Sequence, residues 1–326
     1  MKALRCHAFG PIQSLTVDEI ESPTPGAGQV LVDVHAASIN FPDALMVQGL
    51  YQVKPPLPFT PGAELAGVVR ALGEGVKHLK VGDRVVCSTG TGAFAQQAVA
   101  DAVRVIPLPD GMDFDAGASF VLVYGTSLHA LQTIGKLQPG ETLLVLGAAG
   151  GVGIAAIEIA KAMGARVIAA ASSDEKRELA RRAGADETID YTQPEWRREV
   201  ERLTDGKGAD VVYDAVGGPY AEPALRATAW RGRYLVVGFA AGDIPKLPLN
   251  LALLKERAIL GVFWGAAMAK EPKQLIADLQ QLAGWFQQGK LKPPITERVT
   301  LAQAAEAMQR LASRQAMGKI VVLPQA

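Results

Sequence analysis

The sequence predicts an α/β chain of two domains, one built mainly from β-strands and one built on a doubly wound parallel sheet. Three observations carry this. Residues 142–160, TLLVLGAAGGVGIAAIEIA, place a glycine-rich turn between two apolar runs. From Thr142 onward, strand-like and helix-like stretches alternate, the pattern of parallel strands joined by helices. Before residue 122, short strand-like runs are punctuated by glycine and proline. With 326 residues, 49% of them hydrophobic, the chain has material for two cores.

In the first part the expected strands are 29–37, 66–72, 84–87 and 94–105, separated by turn signals such as Pro61-Gly62 and Gly82-Asp83. They suggest a distorted barrel. A helical stretch over 113–137, interrupted by Gly125 and Gly135, reads as the crossover between domains.

Residues 142–146 have the unalternating aliphatic character of a strand buried on both faces. Gly147, Gly150, Gly151 and Gly153 then allow a sharp turn and a close approach to a ligand, and 154–163 has helical length and composition. The free amides and the dipole at the helix start favour an anion, so a pyrophosphate fits there. The motif is imperfect, because Ala148 stands where the first glycine of GxGxxG would be. Its setting strengthens it: Gln138-Pro139-Gly140-Glu141 is a turn signal just before the strand, and the strand 166–171 completes a βαβ unit. The competing reading is a glycine-rich turn without a ligand; four glycines make a poor membrane span.

Further strands are expected at 210–214, 232–237 and 258–262, with helices at 174–183, 220–228 and 249–257, the first of these capped by Ser173 or Asp174. A helix over 272–288, a helix over 301–311 and a strand over 319–323 close the chain.

Lys+Arg and Asp+Glu are 33 each, which gives no global field for nucleic acid or an anionic membrane. The start lacks an apolar core followed by a small-residue cleavage site, so a cytoplasmic protein is expected. Cys6 and Cys87 read as reduced, buried thiols, and His7, His35, His78 and His129 show no ligand spacing, so no metal is expected.

A dinucleotide site that prefers NAD carries Asp or Glu at the end of its second strand. Here the strand ends Ala169-Ala170-Ala171-Ser172-Ser173, and Asp174 and Glu175 lie in the following turn. Lys176 and Arg177 come next, so a 2′-phosphate would meet hydroxyls and cations. NADP is favoured over NAD; the other reading of Lys176 and Arg177, a solvated helix face, stays open on these residues alone.

End to end, the chain resembles the zinc-free quinone oxidoreductase (zeta-crystallin-like) branch of the medium-chain dehydrogenase/reductase superfamily. The resemblance rests on Ser38-Ile39-Asn40-Phe41-Pro42-Asp43 with Gly49-Leu50-Tyr51, and on Pro61-Gly62-Ala63-Glu64-Leu65-Ala66-Gly67. Val81-Gly82-Asp83-Arg84-Val85, Tyr124-Gly125-Thr126-Ser127, Ala148-Ala149-Gly150-Gly151-Val152-Gly153 and Gly318-Lys319-Ile320-Val321 complete it. It implies a GroES-like catalytic domain, 1–122 and 264–326, and a Rossmann NADPH-binding domain, 123–263. It implies that Lys176, Tyr191 and Arg314, with Ser172 and Ser173 beside them, hold the 2′-phosphate of NADPH, and that Ala149, Gly150, Gly151 and Val152 line the pyrophosphate. Where zinc-dependent relatives carry a cysteine near position 40 and a Gly-His-Glu triplet, this chain has Asn40 and Gly62-Ala63-Glu64.

Without a Lewis acid, the easier hydride acceptors are those that delocalise the incoming charge, namely quinones and activated alkenes. The resemblance therefore implies an NADPH:quinone oxidoreductase. Asn40 and Tyr51 would be catalytic, with Asn40 also near the nicotinamide and Tyr51 a polariser, a proton donor or an aromatic wall. Some relatives have a second tyrosine at the position of Leu45, so a two-tyrosine relay is in doubt here. Thr126, Phe239, Phe263 and Trp264 would flank the nicotinamide half, although Phe263 and Trp264 also read as core or interface aromatics. An apolar edge strand at 258–262 suggests a homodimer. The same motifs accommodate an enoyl reductase acting on acryloyl-CoA or an enone, and an NADPH-binding structural or RNA-binding protein is the alternative from another class; no nucleic acid or membrane partner is expected.

Overall fold

Six parallel strands organise the later part of the chain: β1 (Thr142–Leu146), β2 (Arg166–Ala171), β3 (Glu187–Asp190), β4 (Ala209–Asp214), β5 (Thr228–Val236) and β6 (Ala258–Gly261). They lie in the order β3-β2-β1-β4-β5-β6. The order reverses between β1 and β4, and a doubly wound sheet opens a ligand crevice at the carboxyl ends of its strands at such a point. Helices α1 (Gly151–Ala162), α2 (Asp174–Arg182), α3 (Trp196–Leu203) and α4 (Ala221–Ala227) make the connections. Coverage on both faces explains why Leu143 to Leu146 and Val167 to Ala171 are buried without alternation.

The computed structural model describes residues 1–326, which divide into two compact units: 1–122 with 293–326, and 123–292. The sequence placed the second boundary at 263/264, about thirty residues too early. Residues 264–292 stay with the parallel sheet because their contacts are there. The Trp264 ring fills the space over Gly125, Gln281 and Gln132 exchange amide hydrogen bonds (2.9 and 3.2 Å), and the Lys292 N–H donates to Glu158 Oε2 (2.9 Å).

Two elements of this unit leave little trace in the sequence: β3 is only four residues long, and α3 (WRREVERL) buries just Trp196 and Val200 among charges. The helix expected at 249–257 is a single turn, Asn250–Leu253; Glu256 adopts φ 49°, a left-handed conformation that does not continue a helix. The crossover is also broken, into Phe114–Ala118, Val121–Leu128 and a π-turn His129–Ile134.

The other unit is a seven-stranded sheet, mostly antiparallel, running Ile295–Thr300, Lys319–Leu323, Gln29–Ser38, Glu64–Leu72, Arg84–Ser88, Val105–Pro107, with Gln97–Asp101 paired to Gln29–Ser38. Bulges between Leu31 and Val32 and between Val34 and Ala36 curl it. The path is open where a barrel was expected: its last strand has three residues and ends on Pro107, which has no N–H to continue a ladder. The core is Val30, Val32, Val34, Leu65, Val69, Phe94, Ile320 and Val322 with their neighbours. No helix in the chain is long and apolar enough to cross a membrane.

Candidate functional site

In the parallel-sheet unit the glycine turn follows β1. A Cβ on Gly153 would stand 2.3 Å from the Gly147 carbonyl oxygen and 2.8 Å from Ala148 Cα, so only glycine lets α1 start so close to the turn. Ala148 is tolerated because its backbone stays out of the left-handed region that Gly147 takes (φ 69°), and its N–H donates to the Ala170 carbonyl at 3.1 Å. Gly150 is the N-cap of α1 and offers no capping side chain. The first amides of a helix have no carbonyl partner within it, so those of Gly151, Val152 and Gly153 are available to an anion. Ser127 braces this end, donating to the Val152 carbonyl (3.0 Å) and sharing a hydrogen bond with the Tyr213 hydroxyl (3.0 Å).

The neighbouring strand ends carry no carboxylate on β2. Ser173 caps α2, its Oγ accepting from the Lys176 N–H (3.3 Å), while Lys176 Nζ folds back to 3.4 Å from Ser172 Oγ. The parallel register pairs Asp190 with Ala171, which brings Tyr191 out beside Ser172; its ring packs against Tyr220 at 4.5 Å. Arg177 is differently engaged. Its guanidinium donates to the Ala171 carbonyl (3.3 Å) and pairs with Asp174 (2.5 Å) and Asp190 (3.2 Å), which makes it a brace between β2, α2 and β3. The two cations that the sequence left equivalent thus part company.

At the end of β4, Asp214 accepts the N–H groups of Val216 (2.8 Å) and Gly217 (2.9 Å) and the hydroxyl of Tyr234, so it shapes the turn there. Burial raises its pKa. Phe239 lies against that turn, 2.8 Å from where a Cβ on Gly217 would be. Thr126 is half-buried. Trp264 is buried over Gly125, and a Cβ there would come within 2.4 Å of its ring, while Phe263 is 53% exposed. Packing is therefore the observed role of Trp264, whereas Phe263 presents its ring to solvent.

In the other unit the helix Phe41–Val47 begins at Asn40, a residue 4% exposed, and around it is a buried polar cluster. Lys319 Nζ donates to Asn40 Oδ1 (2.7 Å) and lies 3.3 Å from Glu64 Oε1. Asn40 Nδ2 donates to Glu64 Oε1 (2.9 Å) and to Ser38 (3.3 Å to the carbonyl, 3.2 Å to Oγ), and Ser38 Oγ donates to Glu64 Oε1 (2.5 Å). Glu64 Oε2 accepts the Leu122 N–H (2.9 Å), and Asp43 Oδ2 accepts the Asn40 N–H (2.8 Å). Burial pushes the Asp43 carboxyl up to about 7 and lowers the Lys319 ammonium. Tyr51 packs half-buried on this unit's core, and burial together with the Asp43 charge raises its phenol pKa. Arg314 follows the helix Ala304–Ala312 with φ 62°.

Ser38, Asp43, Glu64 and Lys319 lie within the sequence motifs, but nothing in their local sequence assigns them a role. The usable signal was Lys319, a charge at the head of the aliphatic run IVVL. These residues do not fit a zinc ion: Asn40 and Ala63 supply no thiolate or imidazole, the Lys319 ammonium already lies against Asn40 and Glu64, and no group of three His, Cys, Asp or Glu is placed to hold a metal.

Two family models match the chain, one described as an alcohol dehydrogenase GroES-like domain over residues 26–110 and one as a zinc-binding dehydrogenase over 151–281. A quinone oxidoreductase of Pseudomonas aeruginosa is 39% identical over 99% of both chains. A quinone oxidoreductase-like protein 2 homolog of Nematostella vectensis is 39% identical, covering 98% of this chain and 88% of its own. Among solved structures, an Escherichia coli quinone oxidoreductase complexed with NADPH superposes with a TM-score of 0.92 at 29% identity, over 99% of this chain and 100% of that one.

Proposed function

The chain belongs to the zinc-free quinone oxidoreductase branch of the medium-chain dehydrogenase/reductase superfamily, and we propose that within it this protein is an NADPH-dependent oxidoreductase that transfers a hydride to a quinone. The observation that carries the cofactor choice is the end of β2, where Ser172, Ser173 and the back-folded Lys176 stand in place of a carboxylate. Ser172, Ser173, Lys176 and Tyr191 hold the 2′-phosphate, and the turn Ala149-Gly150-Gly151-Val152 takes the pyrophosphate, on the amides of Gly151 and Val152 at the start of α1. Thr126, Phe239 and Phe263 serve the nicotinamide half, with Trp264 supporting the helix of Thr126 from the core.

When bound, NADPH supplies the hydride from C4 of its nicotinamide. Everything else falls to the chain. The residues around Asn40 do not fit a Lewis-acidic metal ion, so the acceptor that suits them spreads the charge over its own ring. Tyr51, whose raised pKa keeps the phenol protonated, donates a hydrogen bond or a proton to the developing oxyanion. The edge strand β6 and the exposed Leu249, Leu253, Leu254 and Phe263 beside it suit a second copy of the chain, which gives a homodimer.

The test is NADPH oxidation by the purified, chelator-treated protein with a 1,4-quinone and, separately, acryloyl-CoA and a simple enone, each repeated with NADH. Faster turnover of the quinone with NADPH is expected. Activity confined to acryloyl-CoA or the enone would move the protein to the enoyl reductases, and no turnover despite NADPH binding would favour a binding role. Tyr51→Phe should lower kcat/KM by about 10² if the phenol is the acid; an unchanged value excludes it.

A further inference from the structure

We propose that Asp214 is the positioning residue of Phe239: its carboxylate fixes the turn after β4, and that turn places the ring that serves the nicotinamide half of the cofactor. The inference rests on the cofactor reading above and deepens it. All the residues concerned belong to the parallel-sheet unit and lie past the carboxyl ends of β4 and β5.

The order of dependence runs outward from the sheet. Asp214 is the last residue of β4 and is 3% exposed. The Tyr234 hydroxyl on β5 donates to its Oδ2, which leaves Oδ1 to the turn. There it accepts the N–H groups of Val216 (2.8 Å) and Gly217 (2.9 Å), both buried residues. A buried N–H without an acceptor costs free energy, so the turn follows the carboxylate. Gly217 adopts φ 66° and ψ −147°, a region open essentially to glycine, and the Phe239 ring fills the space that a side chain would take, 2.8 Å from the position of a Cβ. The turn then holds the loop after β5. The carbonyls of Ala215 and Val216 accept the N–H groups of Ala240 (3.2 Å) and Ala241 (2.8 Å), and the Gly218 N–H donates to the Asp243 carbonyl (3.2 Å). Phe239 is therefore held through its ring by Gly217 and through the chain by Ala240, and both contacts lead back to one carboxylate. The Val237 N–H reaches the main-chain carbonyl of Asp214 (2.9 Å) whatever the side chain there, so the root of the loop stays in place and only the part from Phe239 onward depends on the carboxylate.

The experiment compares by calorimetry the affinities of NADPH and of 2′,5′-ADP, which carries the 2′-phosphate but no nicotinamide half. The readout is the ratio of the two dissociation constants, which a role in stability alone would not move. The proteins are the wild type, Phe239→Ala, Asp214→Ala, Asp214→Asn and Asp214→Ala/Phe239→Ala. Phe239→Ala should lower the preference for NADPH by about tenfold, the size of one aromatic contact. Asp214→Ala should lower it as much and the double variant no further, because two residues that act as one unit are not additive. Asp214→Asn keeps an acceptor for both N–H groups and turns its amide nitrogen to the Tyr234 oxygen, so it should keep the preference. If Asp214→Ala fails to fold, Asp214→Ala/Tyr234→Phe takes its place, since it also removes the hydroxyl that the single variant leaves buried and unpaired. A ratio unchanged in Asp214→Ala overturns the inference, as does one unchanged in Phe239→Ala. So do a double variant with the product of the single effects, about hundredfold, and an Asn variant as impaired as the Ala one. A wild type that does not bind NADPH overturns the cofactor reading, and this inference with it.

Discussion

The glycine turn at 147–153 and the polar cluster around Asn40 are both candidate sites, but one is assembled from a single short stretch and the other from distant ones. The turn's close contacts, Gly153 on Gly147 and Ala148, join residues within one motif. The cluster joins Asn40 to Lys319 across 279 positions and Glu64 to Lys319 across 255. The turn is also made of backbone and empty space, whereas the cluster is made of side chains whose charges must balance. A site of the first kind fails by steric intrusion, and one of the second kind fails by leaving a charge unpaired.

The sharpest way to break the turn is Gly153→Val. With the Cβ position only 2.3 Å from a backbone oxygen, α1 must move away from β1, and a loss of NADPH affinity of more than about 100-fold is expected, since the amide cradle is lost with the helix start. Gly150→Ala is the control: its nearest neighbour would be 3.4 Å away, and its melting temperature should stay near that of the wild type. Equal damage from both would show that flexibility, not space, is what the glycines supply.

The cluster is broken by charge. Lys319→Met leaves Glu64 buried without its cation, and a loss of about 3–5 kcal/mol is expected in urea unfolding. Lys319→Met/Glu64→Gln should recover much of it. If the double variant is as unstable as the single one, the pair contributes by packing and not by charge balance.

These two outcomes bear on what the sequence could reveal. The doubly wound sheet was legible because β1, β2 and β4 are aliphatic runs bounded by turns, and the glycine turn because its requirements are local. At the end of β2, where the phosphate site is proposed, Ser172, Ser173 and Lys176 stand out in the sequence, yet only the three-dimensional pairing of Arg177 with Asp174 and Asp190 separates that cation from Lys176. Strand β3 and helix α3 were missed because short, charged elements bury too little to leave a periodic trace. The boundary at 292/293 was missed because the contacts of Trp264, Gln281 and Lys292 depend on partners more than 100 residues away. The links of Lys319 to Asn40 and Glu64 have the same character, and no spacing rule announces them.

Each unit also holds one buried carboxyl pushed up to about 7, mainly by burial: Asp43 in one and Glu158 in the other, the latter accepting from the Tyr124 hydroxyl (2.7 Å) and the Lys292 N–H. Both folded values lie above the ordinary carboxylate range, so the folded protein keeps protons that the unfolded chain releases. Their contribution to stability is complete below about pH 4 and is lost as the pH rises through about 7, by an upper bound of about 4 kcal/mol for Asp43 and about 3 kcal/mol for Glu158. Melting temperature should therefore fall over that window apart from other groups, and Asp43→Asn or Glu158→Gln should each flatten its own part of the slope. A slope unchanged in both variants would mean that neither carboxyl retains its proton in the folded state.

The smallest expected effect separates the neighbouring cations of the proposed phosphate site. Lys176→Ala should weaken NADPH by roughly tenfold and NADH hardly at all, because a single charge-assisted hydrogen bond to the 2′-phosphate is removed. Arg177→Ala should weaken the two cofactors alike and lower the melting temperature slightly, because its guanidinium is already committed to Asp174, Asp190 and the Ala171 carbonyl. The measurement is the ratio of the NADPH and NADH dissociation constants in the two variants. If the ratio moves with Arg177 and not with Lys176, those pairings open when the phosphate arrives. The brace between β2, α2 and β3 would then be the part of this unit that the ligand remodels.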